Sequence, residues 1–423
     1  MKIFALSLVF ALCFWACSDD NASNASPVED SSGSFETVSS GTRDLSSASE
    51  IPAESSESAS LSSANGNVFS SNSEWDASSS SAWDGFVSSS DVSVPELFSS
   101  ADVGSSSSQI SVPFDEIVSA AELSAAQLER AEEFRKTVLD SLGRTRNAVY
   151  VYTKTVGDFS GEPEKLAARI ALLGFRDVYL SPGKSLYTNP NDWIRTFIRT
   201  LGKYGIKVHA QRLPVTGSGS AELLTSESGI DAEVGLVTGY NGLVEPDERF
   251  SGLNADIEVH TIKSGFAYSW DKGAGSDSLL RMAQSALEYA KRKLESEGLE
   301  LSEAVAMSYD KYYNEGTFAN GSSGHFLKSC DWVVLMDYYT KDSQIQRYAK
   351  ASFDNATKNR SVSVALKVKG TGSDAFQNWE PLLASLRALF AESIDYRNAN
   401  GFAPFRGLDF FTYEGLENLW FNG

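Results

Sequence analysis

Cysteine is almost missing from this chain, with three in 423 residues, and two of them, Cys13 and Cys17, fall in the first seventeen positions. Cys330 is then the only thiol in the rest, so disulfides play no part in holding a fold together. Histidine is equally scarce, at three. Basic residues are in deficit, 36 Lys and Arg against 56 Asp and Glu. No basic surplus is present to neutralise a phosphate backbone, which argues against nucleic acid as a partner. The apolar run from Ile3 to Trp15 is too short to span a bilayer.

That run follows Lys2, and a charged start before a short apolar middle has the form of a secretory signal. Its end, Phe14-Trp15-Ala16-Cys17-Ser18-Asp19-Asp20, resembles a bacterial lipobox, with small Ala16 before Cys17 and abrupt polarity after it. The resemblance implies that residues 1–16 are a signal peptide and that Cys17 becomes the lipidated first residue. It also implies a lipid-anchored place in a bacterial cell envelope, at the outer membrane or cell surface. Residues 17–112 are different material, rich in Ser, with 15 acids against Arg43 alone. Ordering such a segment would cost about 1–2 kcal/mol per residue with little apolar surface to bury in return. A disordered, self-repelling tether is expected there.

From residue 113 the composition becomes that of a folded domain. Residues 113–145 predict a leading helix, with Ile117, Leu123, Leu128, Phe134, Val138 and Leu142 in an approximate helical stripe and Gly143 as its stop. Beyond it, strand and helix patterns alternate. Strands are expected at 148–153, 177–180, 206–210, 252–257, 304–308, 332–338, 361–368 and 407–412, with helices between most of them. Eight such units in residues 146–423 predict an α/β fold, a (β/α)8 TIM barrel. A doubly wound sheet is the lesser alternative, because no Gly-rich first turn follows any strand. Such a barrel builds its site at the carboxyl ends of its strands, which filters the candidates by position.

The fourth strand ends in two carboxylates. In Asn254-Ala255-Asp256-Ile257-Glu258-Val259-His260, side chains two apart share a face, so Asn254, Asp256, Glu258 and His260 point one way and the apolar residues the other. Two neighbouring acids repel unless one holds a proton, and that is how a carboxyl is raised to serve as a general acid near neutral pH. The sixth strand ends in Met336-Asp337-Tyr338-Tyr339 and the eighth in Thr412-Tyr413-Glu414, so three clusters would surround one mouth.

With these residues the sequence resembles the glycoside hydrolase barrels, and most specifically family 18, the chitinase-like enzymes. Their fourth-strand pattern D-G-x-D-x-D-x-E is matched in register by Ser251-Gly252-Leu253-Asn254-Ala255-Asp256-Ile257-Glu258, and their sixth-strand M-x-Y by Met336-Asp337-Tyr338. The segment from Asp256 to His260 is also similar to the D-I-E-P-H strand end of other glycosidase-like barrels. The resemblance implies that Glu258 protonates a glycosidic oxygen, that Asp256 tunes it and orients an acetamido group, and that Tyr338 holds the same group. Ser251 and Asn254 replace two of the pattern's acids, and Tyr339 stands where an Asp or Asn usually follows the Tyr.

If the substrate does not supply its own nucleophile, a second carboxylate is needed, and Asp337 and Glu414 are the choices at strand ends. Sugars stack on aromatic rings, so Tyr338, Tyr339, Trp270, Trp379 and Tyr413 are candidate platforms, with Asn254 and His209 as polar contacts. Three same-face residues on one strand span about 13 Å, too far for Asp256, Glu258 and His260 to share one ion, so no metal and no cofactor is expected. G-x-S-x-G is absent, so Gly217-Ser218-Gly219-Ser220 reads as a loop rather than a nucleophile elbow. The expected function is a monomeric, surface-tethered glycoside hydrolase acting on an extracellular polysaccharide or glycan. A glycan-binding barrel without turnover and a structural surface lipoprotein are the alternatives.

Overall fold

A computed structural model describes residues 112–139, 145–152, 162–369, 374–400 and 403–422. The signal-like run, Cys17, Gly143 and nearly all of the Ser-rich stretch lie outside the described residues. Where one leading helix is expected, two form: α1, Phe114–Ala121, and α2, Ala125–Val138. Glu122 in the left-handed region, at φ 50°, ends the first. Ser124 starts the second through a capping box, its hydroxyl accepting the Gln127 amide at 3.3 Å while the Gln127 side chain accepts the Ser124 amide at 3.0 Å. Phe134 of α2 is fully buried and packs against Phe175, Trp379 and Phe410.

Eight parallel strands close on themselves in chain order, β8 pairing with β1. They are β1 Ala148–Tyr152, β2 Asp177–Ser181, β3 Lys207–Thr216, β4 Gly252–Glu258, β5 Glu300–Ala306, β6 Trp332–Met336, β7 Val362–Lys367 and β8 Phe405–Phe411. The main crossover helices are α3 Pro163–Leu172, α5 Asp192–Lys203, α6 Glu227–Leu243, α7 Ala274–Glu295, α10 Asp342–Asn355 and α11 Trp379–Asn400. Shorter helices add to the connections: α4 Ser185–Thr188, α8 Ser308–Asn314 and α9 Ser323–Phe326. The last helix, α12 Tyr413–Asn422, follows β8. The fold is thus the expected (β/α)8 barrel.

Alternation along the strands divides the core in two. Val149, Val151, Val178, Leu180, Val333, Leu335, Val364 and Leu366 face the helical layer, while Ala148, Tyr150, Tyr179, Trp332, Val334 and Ala365 fill the barrel interior. Both faces are covered, which is why the strands read as nearly unbroken apolar runs.

The amino-terminal floor of the barrel is closed by charge. Asp177, at the start of β2, is fully buried and accepts from Arg146 Nε at 3.1 Å and Arg406 Nη2 at 2.9 Å, with His209 Nε2 at 3.2 Å. Burial alone would push this carboxyl up, but Arg406, His209 and Arg146 together hold it well below the usual carboxylate range. The Arg406 guanidinium also lies 4.0 Å over the Trp332 ring. The floor is narrow. A Cβ on Gly252 would stand 2.3 Å from the Glu300 carbonyl oxygen, and one on Gly407 would stand 2.2 Å from that of Arg146.

Candidate active site

The site is built on the unequal pairing of β4. On one side β4 stays with β3 as far as Thr216 opposite Glu258, across an irregularity between Arg212 and Pro214. On the other, pairing with β5 ends at Ala255 opposite Glu303. The last three residues of β4 therefore stand free of β5 and carry the acids to the carboxyl end. Leu253, Ala255 and Ile257 belong to the outer core, which turns Asn254, Asp256 and Glu258 inward. Asn254 is fully buried beneath the acids and donates from Nδ2 to Ser302 Oγ at 2.9 Å. Asp256 and Glu258 are half-buried. Gln211 of β3 donates to Asp256 Oδ2 at 3.4 Å.

These surroundings raise both carboxyls. Burial pushes Asp256 up to about 6, against the Gln211 hydrogen bond, and burial followed by the Asp256 charge pushes Glu258 up to about 7. One of the pair can hold a proton near neutrality while the other is ionised, the condition for general acid chemistry.

His260 does not continue the strand. β4 ends at Glu258, and His260 lies in the 3-10 turn Val259–Thr261. Its Nδ1 sits 3.2 Å from the Tyr309 hydroxyl, and burial with the nearby Lys263 charge pushes the imidazole down to about 4. Among the described residues no group of three His, Cys, Asp or Glu is placed to hold a metal ion.

Above the interior, four aromatic rings gather beside the acids. Phe411, which ends β8, lies 5.6 Å from Tyr150, 5.8 Å from Tyr152 and 5.8 Å from Tyr338 between ring centroids. The Tyr338 phenol is raised by burial and then by Asp256, Tyr152 and Glu258, which sets it next to the pair.

The other candidates lie elsewhere. His209 is on the floor, bound to Asp177, because β3 runs on to Thr216 and makes His209 an early residue of the strand rather than a late one. Trp379 opens α11, almost wholly buried and stacked on Phe134 at 5.4 Å. Tyr413 opens α12, where it is buried and donates to Glu417 at 2.9 Å. Tyr339 stacks on Tyr348 of α10 at 5.4 Å and belongs with the helical layer. Trp270 packs in a cluster with Tyr309, Phe318 and His260 in the connection after β4.

Asp337 lies just past β6, its amide donating to the Leu335 and Ala365 carbonyls, and is fully buried with neither carboxyl oxygen hydrogen-bonded. Glu414, in the first turn of α12, is in reach of the Thr412 hydroxyl at 3.4 Å. The structure thus brings together Asp256, Glu258, Tyr338 and, below them, Asn254. Sequence reasoning missed Phe411, Tyr150, Gln211 and Glu303. An acid directly before the apolar run Ala304-Val305-Ala306, two residues after Leu301, was the signal that could have found Glu303.

Fold and site together define a (β/α)8 barrel with a pair of acids at the carboxyl ends of its strands. No known family profile matches the sequence, and no curated protein matches it. Some solved structures are distantly similar. A GH18 chitinase from Pseudoalteromonas aurantia is 13% identical over 65% of this chain and 97% of its own, with a TM-score of 0.46. A chitinase from Chromobacterium violaceum is 13% identical over 65% and 96%, at 0.42. The spore cortex-lytic enzyme SleL of Bacillus megaterium is 13% identical over 63% and 70%, also at 0.42.

Proposed function

We propose that the chain is a glycoside hydrolase in which Glu258 is the general acid. The observation that carries this function is the Asp256 and Glu258 pair at the barrel mouth, with Glu258 raised to about 7 by burial and by its neighbour's charge. The acids support it more than the barrel does, since one fold hosts many functions. Tyr338, Tyr152 and Phe411 supply ring faces beside the acids, as a pyranose needs. After burial, the charge that raises Glu258 is that of Asp256.

A site built on one acid pair suits a substrate that supplies its own nucleophile, through a 2-acetamido group. Asp256 orients that group and stabilises the charge it acquires, while the Tyr338 hydroxyl holds its oxygen. Glu258 gives its proton to the leaving oxygen and then takes one from water. The substrate class is therefore an N-acetylated amino-sugar glycan.

The test compares N-acetylated chito-oligosaccharides with their deacetylated forms and with neutral polysaccharides. Only the acetylated chains should turn over, with a maximum between about pH 6 and 7, because the rate is lost as Glu258 gives up its proton above about 7. Glu258→Gln should cut kcat by roughly 10²–10⁴-fold and leave binding. Equal rates in the two proteins would remove the assignment. One observation favours a second reading, a glycan-binding barrel without turnover: the residue beneath Asp256 is the neutral, buried Asn254. Binding of the acetylated chains without any hydrolysis would establish that reading instead.

A further inference from the structure

Glu303 of β5 is a carboxyl beside the acids that the hydrolytic scheme does not use. It is fully buried. The β4 and β5 ladder stops where Ala255 faces Glu303, so the edge of Asp256-Ile257-Glu258 that turns toward β5 has no strand to bond with. A buried amide at such an edge needs an acceptor. Glu303 Oε1 provides it, taking the Ile257 amide at 3.2 Å, while Oε2 has no partner. Ile257 is the residue between the two acids, and fixing its peptide fixes the backbone from which both side chains spring.

We propose that Glu303 is a positioning residue, standing in for the missing strand partner and holding the Asp256 and Glu258 carboxyls in register through the Ile257 amide. Glutamine or threonine could accept the same amide, so the choice of a carboxyl needs its own account. The titratable groups that face Glu303 are Asp256 and Glu258 from β4, Tyr309 from α8, and Cys330, which precedes β6. None is a cation. Burial, Asp256 and Glu258 all favour the neutral acid over the carboxylate, and the Ile257 amide alone opposes them. As part of the same proposal, Glu303 is a neutral acid at pH 7 and adds no third negative charge to the pair.

The kinetic part of this inference rests on the hydrolase reading, and the structural part does not. The experiment uses the full chain with Glu303→Gln, which keeps an acceptor of the same shape, and Glu303→Leu, which removes it. Amide hydrogen exchange at Ile257 should change little in Glu303→Gln and speed up about tenfold in Glu303→Leu. On N-acetylated chito-oligosaccharides, Glu303→Leu should lower kcat with KM nearly unchanged, and Glu303→Gln should keep the wild-type pH profile. With 13C-labelled Glu, the carboxyl resonance lost in both variants should have the shift of a neutral acid at pH 7 in the wild type.

Unchanged Ile257 exchange in Glu303→Leu overturns the positioning role. A carboxylate shift at pH 7, or a pH profile displaced by a unit or more in Glu303→Gln, overturns the neutral acid. Should Glu303→Leu fail to fold, exchange at Ile257 in Glu303→Gln still decides, since loss of its protection there contradicts an acceptor of the same shape. Should the wild type hydrolyse nothing, the hydrolase reading fails by itself, while the exchange and resonance results still decide for or against Glu303.

Discussion

Asp337 shows how far one side chain can depart from the role its position in the sequence suggests. It closes the run Trp332 to Met336 as an acid at a strand end, yet it is fully buried with neither oxygen bonded. Burial pushes it up to about 8, against an ordinary value of 3.8. A raised acid favours the folded state at low pH, and that contribution is lost as pH climbs from about 4 through about 8. Asp337→Asn should therefore melt like the wild type at pH 4 and be more stable than it at pH 8 to 9, by about 1–3 kcal/mol. Melting curves across that range check it, and parallel curves for the two proteins would show that Asp337 ionises freely. Trp379 and Tyr413 depart in a similar way. Both directly precede or begin a helix, and a first helical turn tucks its large side chains beneath the rim rather than over it.

At the scale of elements, the fourth strand carries two separate requirements in one motif. Its acids serve the mouth, and its glycine serves the floor. Gly252→Ala would drive a methyl group into the Glu300 carbonyl and the His209 ring, 2.3 and 2.9 Å away. The backbone of β5 cannot yield without breaking the ladder, so a loss of about 1–3 kcal/mol is expected from denaturant unfolding. A variant as stable as the wild type would mean that the floor is slacker than its packing indicates.

The eight strands and their order were legible because both faces are buried and the apolar runs are clear. Their ends were not. β5 starts at Glu300 rather than 304 because Ser302 and Glu303 are polar residues with private partners inside the barrel, Asn254 and the Ile257 amide. β3 continues to Thr216 through Gln211, Arg212 and Pro214, which read as loop, and that misjudged length is what put His209 at the wrong end of the barrel. The inward march of Asn254, Asp256 and Glu258 was legible because a period of two needs no knowledge of the ends. Phe411 was hidden, since its neighbours Tyr150, Tyr152 and Tyr338 come from strands far apart in sequence.

For the molecule as a whole, we propose that residues 17–112 tether the barrel to a membrane through a lipid on Cys17, a role drawn from the short apolar run and the Ser-rich, acidic composition. Removing 17–112 should move the melting temperature of the barrel by no more than about 2 °C, because that composition has little apolar surface to contribute to a core. Cys17→Ser should shift the full chain from the membrane fraction to the soluble one. A large drop in melting temperature, or a variant that stays with the membrane, would contradict the tether or the anchor respectively.

The buried acids also change what the charge of this protein means. A formal charge of −20 and a sequence isoelectric point near 4.6 treat each carboxyl as if it stood in water. Asp256, Glu258, Asp337 and the buried Asp409 of β8, which accepts from the Tyr179 hydroxyl, are raised to about 6, 7, 8 and 7, and Glu303 is raised as well, while Asp177 on the floor goes the other way. Below those values the folded molecule therefore keeps protons that its formula counts as lost and that the unfolded chain gives up. Native and unfolded chains of identical composition differ in charge, and the native one is the less acidic of the two.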